Sequence, residues 1–177
     1  MRHRGVEDRT VTANEWADEL DAWTRTYPIV SIEDPFGEDD WDAWSAFAAR
    51  VGDRVQVIGD DLFATSAERL RRGIDGGAAN TVLVKPNQIG TVSATEELLD
   101  LARASGVRTV VSARSGDTED LWLVDLAVEW EADQIKVGSL MRSERTAKWN
   151  RLLELAADPS TPARLRRWTS PAVAPSS

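Results

Sequence analysis

Charged or hydroxyl-bearing residues follow each of five short apolar segments in this 177-residue chain. They are Glu33-Asp34, Asp60-Asp61, Lys85, the turn Ser112–Ser115, and Lys136. Carboxylates such as Glu33 and Asp60 are oxygen ligands of the kind that Mg²⁺ prefers. A lysine such as Lys85, close to other positive charges, can act as a general base. Arg114 and Ser115, in a glycine-containing turn before a helix, could bind a phosphate.

The composition excludes several other kinds of site. The chain has no cysteine and a single histidine, His3, which argues against disulfides, thiolate metal sites, cysteine nucleophiles and Ser-His-Asp triads. The net charge of −9 argues against a nucleic-acid partner. No apolar run approaches the ~20 residues of a membrane span, so no membrane partner is expected. The first residues lack the apolar stretch of a secretory signal, and a cytoplasmic protein is predicted.

Strands and helices alternate in the predicted secondary structure. The predicted strands cover residues 28–33, 55–59, 81–84, 108–112 and 134–137. Helices are predicted to begin with capping boxes at Thr12/Glu15, Thr65/Glu68 and Ser93/Glu96. Further helices are predicted at about 41–50, 118–130 and 142–157, and the helix after Thr65 is expected to end at Gly73.

The spacing of the strand ends indicates the architecture. The ends near 33, 60, 85, 112 and 136 are separated by 27, 25, 27 and 24 residues, with a helix in each interval. Strands joined by helices pair in parallel, and an even period with short loops favours a barrel over an open sheet. We therefore predict an α/β fold, a partial TIM-type (β/α) barrel of about five strands, with its active site at their carboxyl ends.

Five segments of the chain, most of them at the predicted strand ends, resemble segments of a known protein family. They are Ser31-Ile32-Glu33-Asp34-Pro35, Gly59-Asp60-Asp61-Leu62, Lys85-Pro86-Asn87-Gln88-Ile89-Gly90-Thr91, Ser112-Ala113-Arg114-Ser115-Gly116-Asp117-Thr118-Glu119-Asp120, and Gln134-Ile135-Lys136-Val137-Gly138 followed by Arg142-Ser143-Glu144-Arg145. In this order and spacing they resemble the C-terminal barrel of enolase, phosphopyruvate hydratase. The resemblance covers about residues 11–157. We expect residues 1–10 and the Pro/Ser/Arg-rich tail 158–177 to be disordered.

The resemblance implies a role for each position at the strand ends. Glu33 and Asp60 would be two of three carboxylate ligands of Mg²⁺, and both would belong to the substrate site. Lys85 would be the base that removes the proton next to the substrate carboxylate. Lys136 would bind that carboxylate, and Arg114 with Ser115 would hold the phosphate. With two carboxylates alone, Mg²⁺ is expected to bind only in the millimolar range, and micromolar binding would indicate that another carboxylate, Asp34 or Asp61, completes the site.

The chain departs from the family pattern in three ways. By the resemblance, it would begin after the family's N-terminal domain and first barrel strands, so we expect the family's own third metal ligand and its acid to lie outside these residues. Ala113 stands where the family usually has a histidine, which removes a hydrogen-bond donor from the substrate site. Pro86 follows the expected base, and a proline there could reposition Lys85.

Three functions stay open at this point. The first is an enolase-type lyase of glycolysis that converts 2-phosphoglycerate to phosphoenolpyruvate and water. The second is a transferase paralogue such as carboxyphosphonoenolpyruvate synthase of phosphonate antibiotic pathways, favoured by Ala113 and Pro86. The third is an inactive fragment. The expected partners are a phosphorylated three-carbon acid and either a second copy of the chain or another chain that completes the barrel, because five strands leave two edges open.

Overall fold

A computed structural model describes residues 2–4 and 8–161, with side chains from Thr10 onward. The strands are β1 (Arg2–Arg4), β2 (Asp8–Thr10), β3 (Ser31–Glu33), β4 (Gln56–Gly59), β5 (Thr81–Val84), β6 (Arg108–Ser112) and β7 (Gln134–Lys136). The helices are α1 (Ala13–Thr26), α2 (Trp41–Val51), α3 (Ala67–Gly76), α4 (Pro86–Ile89), α5 (Val92–Ala104), α6 (Trp122–Glu129) and α7 (Ser143–Ala157).

Five parallel strands form one sheet in the order β3-β4-β5-β6-β7. Each strand pairs with the next one along the chain, as a barrel requires and as a doubly wound sheet with a reversal of strand order does not. The sheet and its helices therefore form part of a TIM-type barrel, which confirms the predicted fold class. Within the described residues, β3 and β7 each pair on one side only.

Alternation along the strands separates the two faces of the sheet. Val57, Val82 and Val111 are buried in the main core between the sheet and the helices. Ile58, Leu83 and Val110 form a second cluster on the concave, interior face. Successive side chains of a strand point to opposite faces, so the residue after each interior-facing residue packs against the helices. The same alternation brings Asp60 and Lys85 to the interior rim.

Helix α3 is longer than its sequence predicted. It continues past Gly73 to Gly76, and Gly77 ends it with a left-handed conformation at φ 61°. A Cβ at Gly73 would lie 2.3 Å from the ring of Phe63, and a Cβ at Gly59 would lie 2.6 Å from it. Gly73 therefore serves close packing of the buried Phe63 ring against α3 and β4, and the expected helix end there is wrong.

Only the first of the three predicted capping boxes forms. Thr12 accepts from the Glu15 amide at 3.2 Å, and Glu15 accepts from the Thr12 amide at 2.7 Å. Helix α3 is capped by Ser66, not Thr65, and α5 by Thr91, not Ser93. In both cases a neighbouring hydroxyl residue offers an equivalent cap in another frame, and packing of the apolar face selects between the frames.

The ends of the chain also differ from the expectation. Residues 2–4 and 8–10, expected to be disordered, form an antiparallel pair of strands. A hairpin with so short a connection loses little entropy on loop closure, so backbone pairing can form without an apolar pattern.

Three elements are shorter than predicted. Strand β3 begins only at Ser31, helix α6 begins only at Trp122, and strand β7 ends at Lys136. Of the tail 158–177 that was predicted to be disordered, residues 158–161 are described, and there the Ser160 amide donates to the Asp158 carboxylate at 2.8 Å; the prediction for 162–177 lies outside the described residues. In the part of the chain with described structure, no helix has the length and apolarity to cross a membrane.

Asp21 joins α1 to α2 through a buried cluster of charges. Its side chain is 5% exposed and contacts Arg25 at 3.2 Å, Arg50 at 2.7 Å, and also Arg54. Burial alone would raise the pKa of Asp21, but hydrogen bonds from Arg25 and Arg50 outweigh it and hold the pKa below its usual value. The cluster therefore stabilises the fold only while Asp21 is ionised.

We expect the substitution Asp21→Asn to lower the free energy of unfolding by about 2 kcal/mol at pH 7, because charged hydrogen bonds are lost. A lowered folded-state pKa stabilises above the unfolded value of ~3.9, and this stabilisation is lost as the pH falls through the folded-state pKa. Urea unfolding should thus show the difference from wild type shrinking below about pH 4. Asp18→Asn, at a side chain 69% exposed, is the control and should change little. A difference independent of pH would contradict this account of Asp21.

Candidate active site

Residues at the carboxyl ends of four of the parallel strands, β4 to β7, line one cavity of about 600 Å³. This volume lies within the range of ordinary small-molecule sites. Of the residues proposed from the sequence, Asp60, Lys85, Arg114, Ser115 and Lys136 line it. Glu33 lies at its margin, where it contacts Lys136. The residues that the sequence analysis selected are therefore neighbours in space, although they are spread over about a hundred positions.

Three carboxylates meet at the ends of β3 and β4. Glu33, Asp34 and Asp60 each offer one oxygen atom, and these atoms lie within 4.8 Å of one another. Asp34 also accepts hydrogen bonds from the backbone amides of Asp60 at 2.9 Å and Asp61 at 3.0 Å. Its backbone has a positive φ of 44°, a conformation that aspartate tolerates better than most residues. Asp34 thus fixes the end of β4 against the end of β3.

The surroundings of Asp34 favour a positive charge nearby. Burial raises the pKa of Asp34, the backbone hydrogen bonds partly offset this, and the charges of Asp60 and Asp61 raise the pKa further. Ionised carboxylates crowded in this way repel one another unless a cation lies among them. The oxygen donors of Glu33, Asp34 and Asp60 are the set that a hard divalent cation such as Mg²⁺ prefers.

Two lysines lie against these carboxylates. The Lys85 Nζ lies 2.5 and 2.6 Å from the two carboxylate oxygens of Asp60. The Lys136 Nζ lies 2.6 and 2.8 Å from those of Glu33. The second pair joins residues 103 positions apart and links the two edge strands of the sheet across the mouth. The lysines and carboxylates form a compact polar cluster above the apolar interior.

The backbone of Lys85 is held by groups on both sides. Its amide donates to the Thr65 hydroxyl at 3.1 Å, and that hydroxyl donates to Gln88 at 2.9 Å. Pro86 occupies the first position of the short helix α4, where a missing N–H costs nothing, and Lys85 has the extended backbone expected before a proline. Pro86 therefore leaves the Lys85 side chain directed toward Asp60.

The turn after β6 supplies another cation of the cavity, which Arg142 and Arg145 also line. Arg114 is exposed, and among the described residues its guanidinium has no ion-pair or hydrogen-bond partner, whereas Lys85 and Lys136 are paired. Ser115 lies beside it on the cavity wall. The Ala113 amide continues the sheet by donating to the Lys136 carbonyl at 2.9 Å. The arrangement leaves Arg114 available for an anion that enters the cavity.

Tryptophan side chains support the acidic side of the mouth. The Trp16 Nε1 donates to the Pro35 carbonyl at 2.9 Å, and the Trp44 Nε1 donates to the Gly37 carbonyl at 3.0 Å. Both carbonyls belong to the loop that follows Glu33 and Asp34. Helices α1 and α2 therefore hold this loop from below. Two of the chain's eight tryptophans thus combine core packing with positioning of the carboxylates.

Sequence reasoning did not assign three residues that shape the site. Asp34 was named only as an alternative to Asp61 for a further metal ligand, Thr65 was taken as a helix cap, and Arg145 received no role. The adjacency of Asp34 to Glu33 was the available signal. Neither Thr65 nor Arg145 has a local signal, because their partners lie 20 and 31 positions away.

The comparison with protein families agrees with this geometry. The chain matches the family described as "Enolase, C-terminal TIM barrel domain" over residues 2–164. The match spans nearly the whole chain, including the five strands and every residue of the cluster at their ends. The chain therefore belongs to the family of enolase C-terminal TIM barrel domains.

Proposed function

We propose that this barrel takes part in Mg²⁺-dependent removal of the proton next to a carboxylate, in the enolase reaction that converts 2-phosphoglycerate to phosphoenolpyruvate and water. The observation that carries the proposal is the double pairing Lys85–Asp60 and Lys136–Glu33 around one cavity. This pairing supports Lys85 as a candidate base and Lys136 as a second cation, each in contact with a carboxylate of the cluster. Membership of the enolase C-terminal barrel family also supports this proposal.

The reaction needs concentrated positive charge. A proton beside a carboxylate is barely acidic, and its removal adds a second negative charge to that group. In the proposed mechanism the Lys85 amine accepts this proton, and the Lys136 ammonium binds the carboxylate on which charge accumulates. Arg114 and Ser115 bind the phosphate and so fix the carbon next to Lys85. Loss of hydroxide from the neighbouring carbon completes the elimination; the hydroxide takes a proton from solvent and leaves as water, and Lys85 returns its proton to solvent.

Glu33, Asp34 and Asp60 are the residues proposed to hold Mg²⁺. Their oxygen atoms lie within 4.8 Å of one another, which fits the hard oxygen ligands that this ion prefers. When bound, the ion would stabilise negative charge on the substrate carboxylate. Asp34 supplies a third carboxylate beyond the two expected from the sequence, so we expect tighter binding than two ligands alone would give.

We expect Asp34→Asn to weaken Mg²⁺ binding by about tenfold or more, because affinity depends on the number of ligand charges. Asp34 accepts from the Asp60 and Asp61 amides through separate oxygens, and asparagine keeps only one acceptor oxygen, so urea unfolding of the variant records any accompanying loss of stability. Calorimetric titration with magnesium chloride measures the effect. The control is Asp61→Asn, at an exposed carboxylate outside the cluster of three. Equal losses in both variants would contradict a specific role for Asp34.

The proposed function is tested by proton exchange. The wild-type chain is incubated with 2-phosphoglycerate and Mg²⁺ in deuterium oxide, and NMR follows both exchange at the carbon next to the carboxylate and formation of phosphoenolpyruvate. Exchange together with product supports the enolase reaction. Exchange without product supports proton abstraction and contradicts elimination by this chain. If neither occurs, the proposal is wrong for this chain, and the inactive alternative stands.

Ala113 favours a second candidate, the transferase paralogue. It lies on the cavity wall with a methyl group where the family resemblance implies a histidine, so position 113 offers the substrate no side-chain donor. The substitution Ala113→His distinguishes the candidates in the exchange experiment. Faster elimination in the variant would favour the transferase for the natural chain. An unchanged rate would mean that position 113 takes no part in the chemistry.

A further inference from the structure

The turn that carries Arg114 and Ser115 is exposed, and little within it determines its shape. Between β6 and α6, the Asp117 amide donates to the Arg114 carbonyl at 3.3 Å, and the Thr118 hydroxyl donates to Asp120 at 2.7 Å. Gly116 adds backbone freedom at φ 76°. A residue outside the turn is therefore needed to hold Arg114 at a fixed distance from the lysines.

Arg145, in the first turn of α7, contacts this turn and the end of β7 at once. Its Nη1 donates to the Val137 carbonyl at 2.7 Å, and its Nη2 donates to the Arg114 carbonyl at 2.9 Å. Gly138 lies directly against it, since a Cβ there would lie 3.7 to 3.8 Å from the side chain. A planar guanidinium can hold two acceptors in fixed directions. One side chain thus connects the strand end bearing Lys136 to the turn bearing Arg114.

Lys148, one helical turn further along α7, holds the other end of the same turn. Its side chain is 1% exposed and its Nζ donates to the Thr118 carbonyl at 2.7 Å. The Nζ also lies 3.4 Å from a carboxylate oxygen of Asp117. Residues three apart share a helix face, so Arg145 and Lys148 act from the same side. Two cations of α7 therefore bracket the turn, and neither is used in the proposed chemistry.

We propose that Arg145 is a positioning residue that sets the place of the Arg114–Ser115 turn relative to the Lys136 end of β7. The expected effect of Arg145 on anion binding rests on the proposed function, whereas its effect on the position of the turn does not. Loss of the guanidinium would free the Arg114 carbonyl and the Val137 carbonyl together. The turn would then sample other conformations, and Arg114 would bind an anion in the cavity less tightly.

The test compares Arg145→Met with the matched control Arg151→Met in the full chain. Arg151 also lies on α7, but it pairs with Asp125 and Glu154 and does not line the cavity. Amide hydrogen exchange of residues 114–118 is measured by NMR, and inorganic phosphate is titrated as the anion probe. Urea unfolding of each variant records any change in global stability.

In Arg145→Met we expect the Asp117 amide to exchange at least about tenfold faster, since an opening that was rare becomes common. We expect phosphate to bind about tenfold more weakly, the loss typical when a supporting contact is removed. Arg151→Met should leave both unchanged. Unchanged exchange in Arg145→Met, or equal changes in both variants, would overturn the proposal. If wild type binds no phosphate while exchange still differs, the proposed function loses its anion site and the positioning role stands.

Discussion

Replacing Lys85 by arginine should lower the rate of proton exchange at the carbon next to the substrate carboxylate by about 10³-fold, the size typical for loss of a general base. Arginine keeps a positive charge that can pair with Asp60, but it does not lose its proton in proteins and so cannot act as a base. The Lys85 Nζ lies 2.6 Å from Asp60, so the variant should also keep the charge balance of the cluster. The same NMR exchange experiment measures the effect.

Two further variants show whether the lower rate of proton exchange results from loss of the base at position 85. Lys85→Met removes base and charge together, and it should lose exchange to the same extent while also changing the unfolding midpoint. Arg103→Met, on α5 and paired with Asp100, is the control and should keep the wild-type rate. A rate in Lys85→Arg above about a tenth of wild type would exclude Lys85 as the base. Preparing every variant in the same way also reveals any contaminating activity.

The substitution Lys148→Met should lower the free energy of unfolding by about 3 to 5 kcal/mol, the usual result of breaking a buried ion pair from one side. Lys148 is 1% exposed, so methionine, of similar length, can occupy the space without the charge. The Thr118 carbonyl would lose its donor, and the Asp117 carboxylate, 12% exposed, would lose its cation. Urea denaturation followed by tryptophan fluorescence measures the change, with a midpoint shift of about 1 to 2 M.

A second substitution separates the charge effect from packing. Asp117→Asn in the Lys148→Met background removes the unpaired carboxylate, and its amide oxygen can still accept from the Thr118 amide, as Asp117 does at 3.1 Å. The double variant should therefore be more stable than Lys148→Met alone. If it is less stable, the lost energy comes from packing. A loss below about 1 kcal/mol in Lys148→Met would contradict the view that this lysine anchors the turn.

The alternation of strands and helices could be predicted because each apolar segment is bounded by its own local signals. The strands Thr81–Val84 and Arg108–Ser112 were predicted with the bounds that the structure shows. The residues that cap α3 and α5 were predicted wrongly, because Thr65 and Ser66, or Thr91 and Ser93, offer nearly equal local hydrogen bonds. At α3 the Thr65 hydroxyl instead donates to Gln88 and accepts from the Lys85 amide, contacts that join segments distant in sequence.

The grouping of the charged residues was predictable for a geometric reason. Parallel strands place their carboxyl ends at one rim, so residues following the strands meet there whatever their separation along the chain. This is how Asp60, Lys85 and Lys136 could be brought together from the sequence. For the third carboxylate the sequence offered either Asp34 or Asp61. The choice of Asp34 depends on the register of β3 against β4, which brings its carboxylate to the Asp60 and Asp61 amides.

The sequence by itself determined the α/β class, the order of the five strands and the chemical types at their ends, because these follow from local patterns and from the geometry of parallel sheets. The tertiary structure decided which charges pair and what holds them. Arg145 and Lys148 resemble other cations of an amphipathic helix until α7 docks beside the turn after β6. Hydrogen bonds between distant segments have no periodic pattern along the chain, so only the folded arrangement identifies these partners.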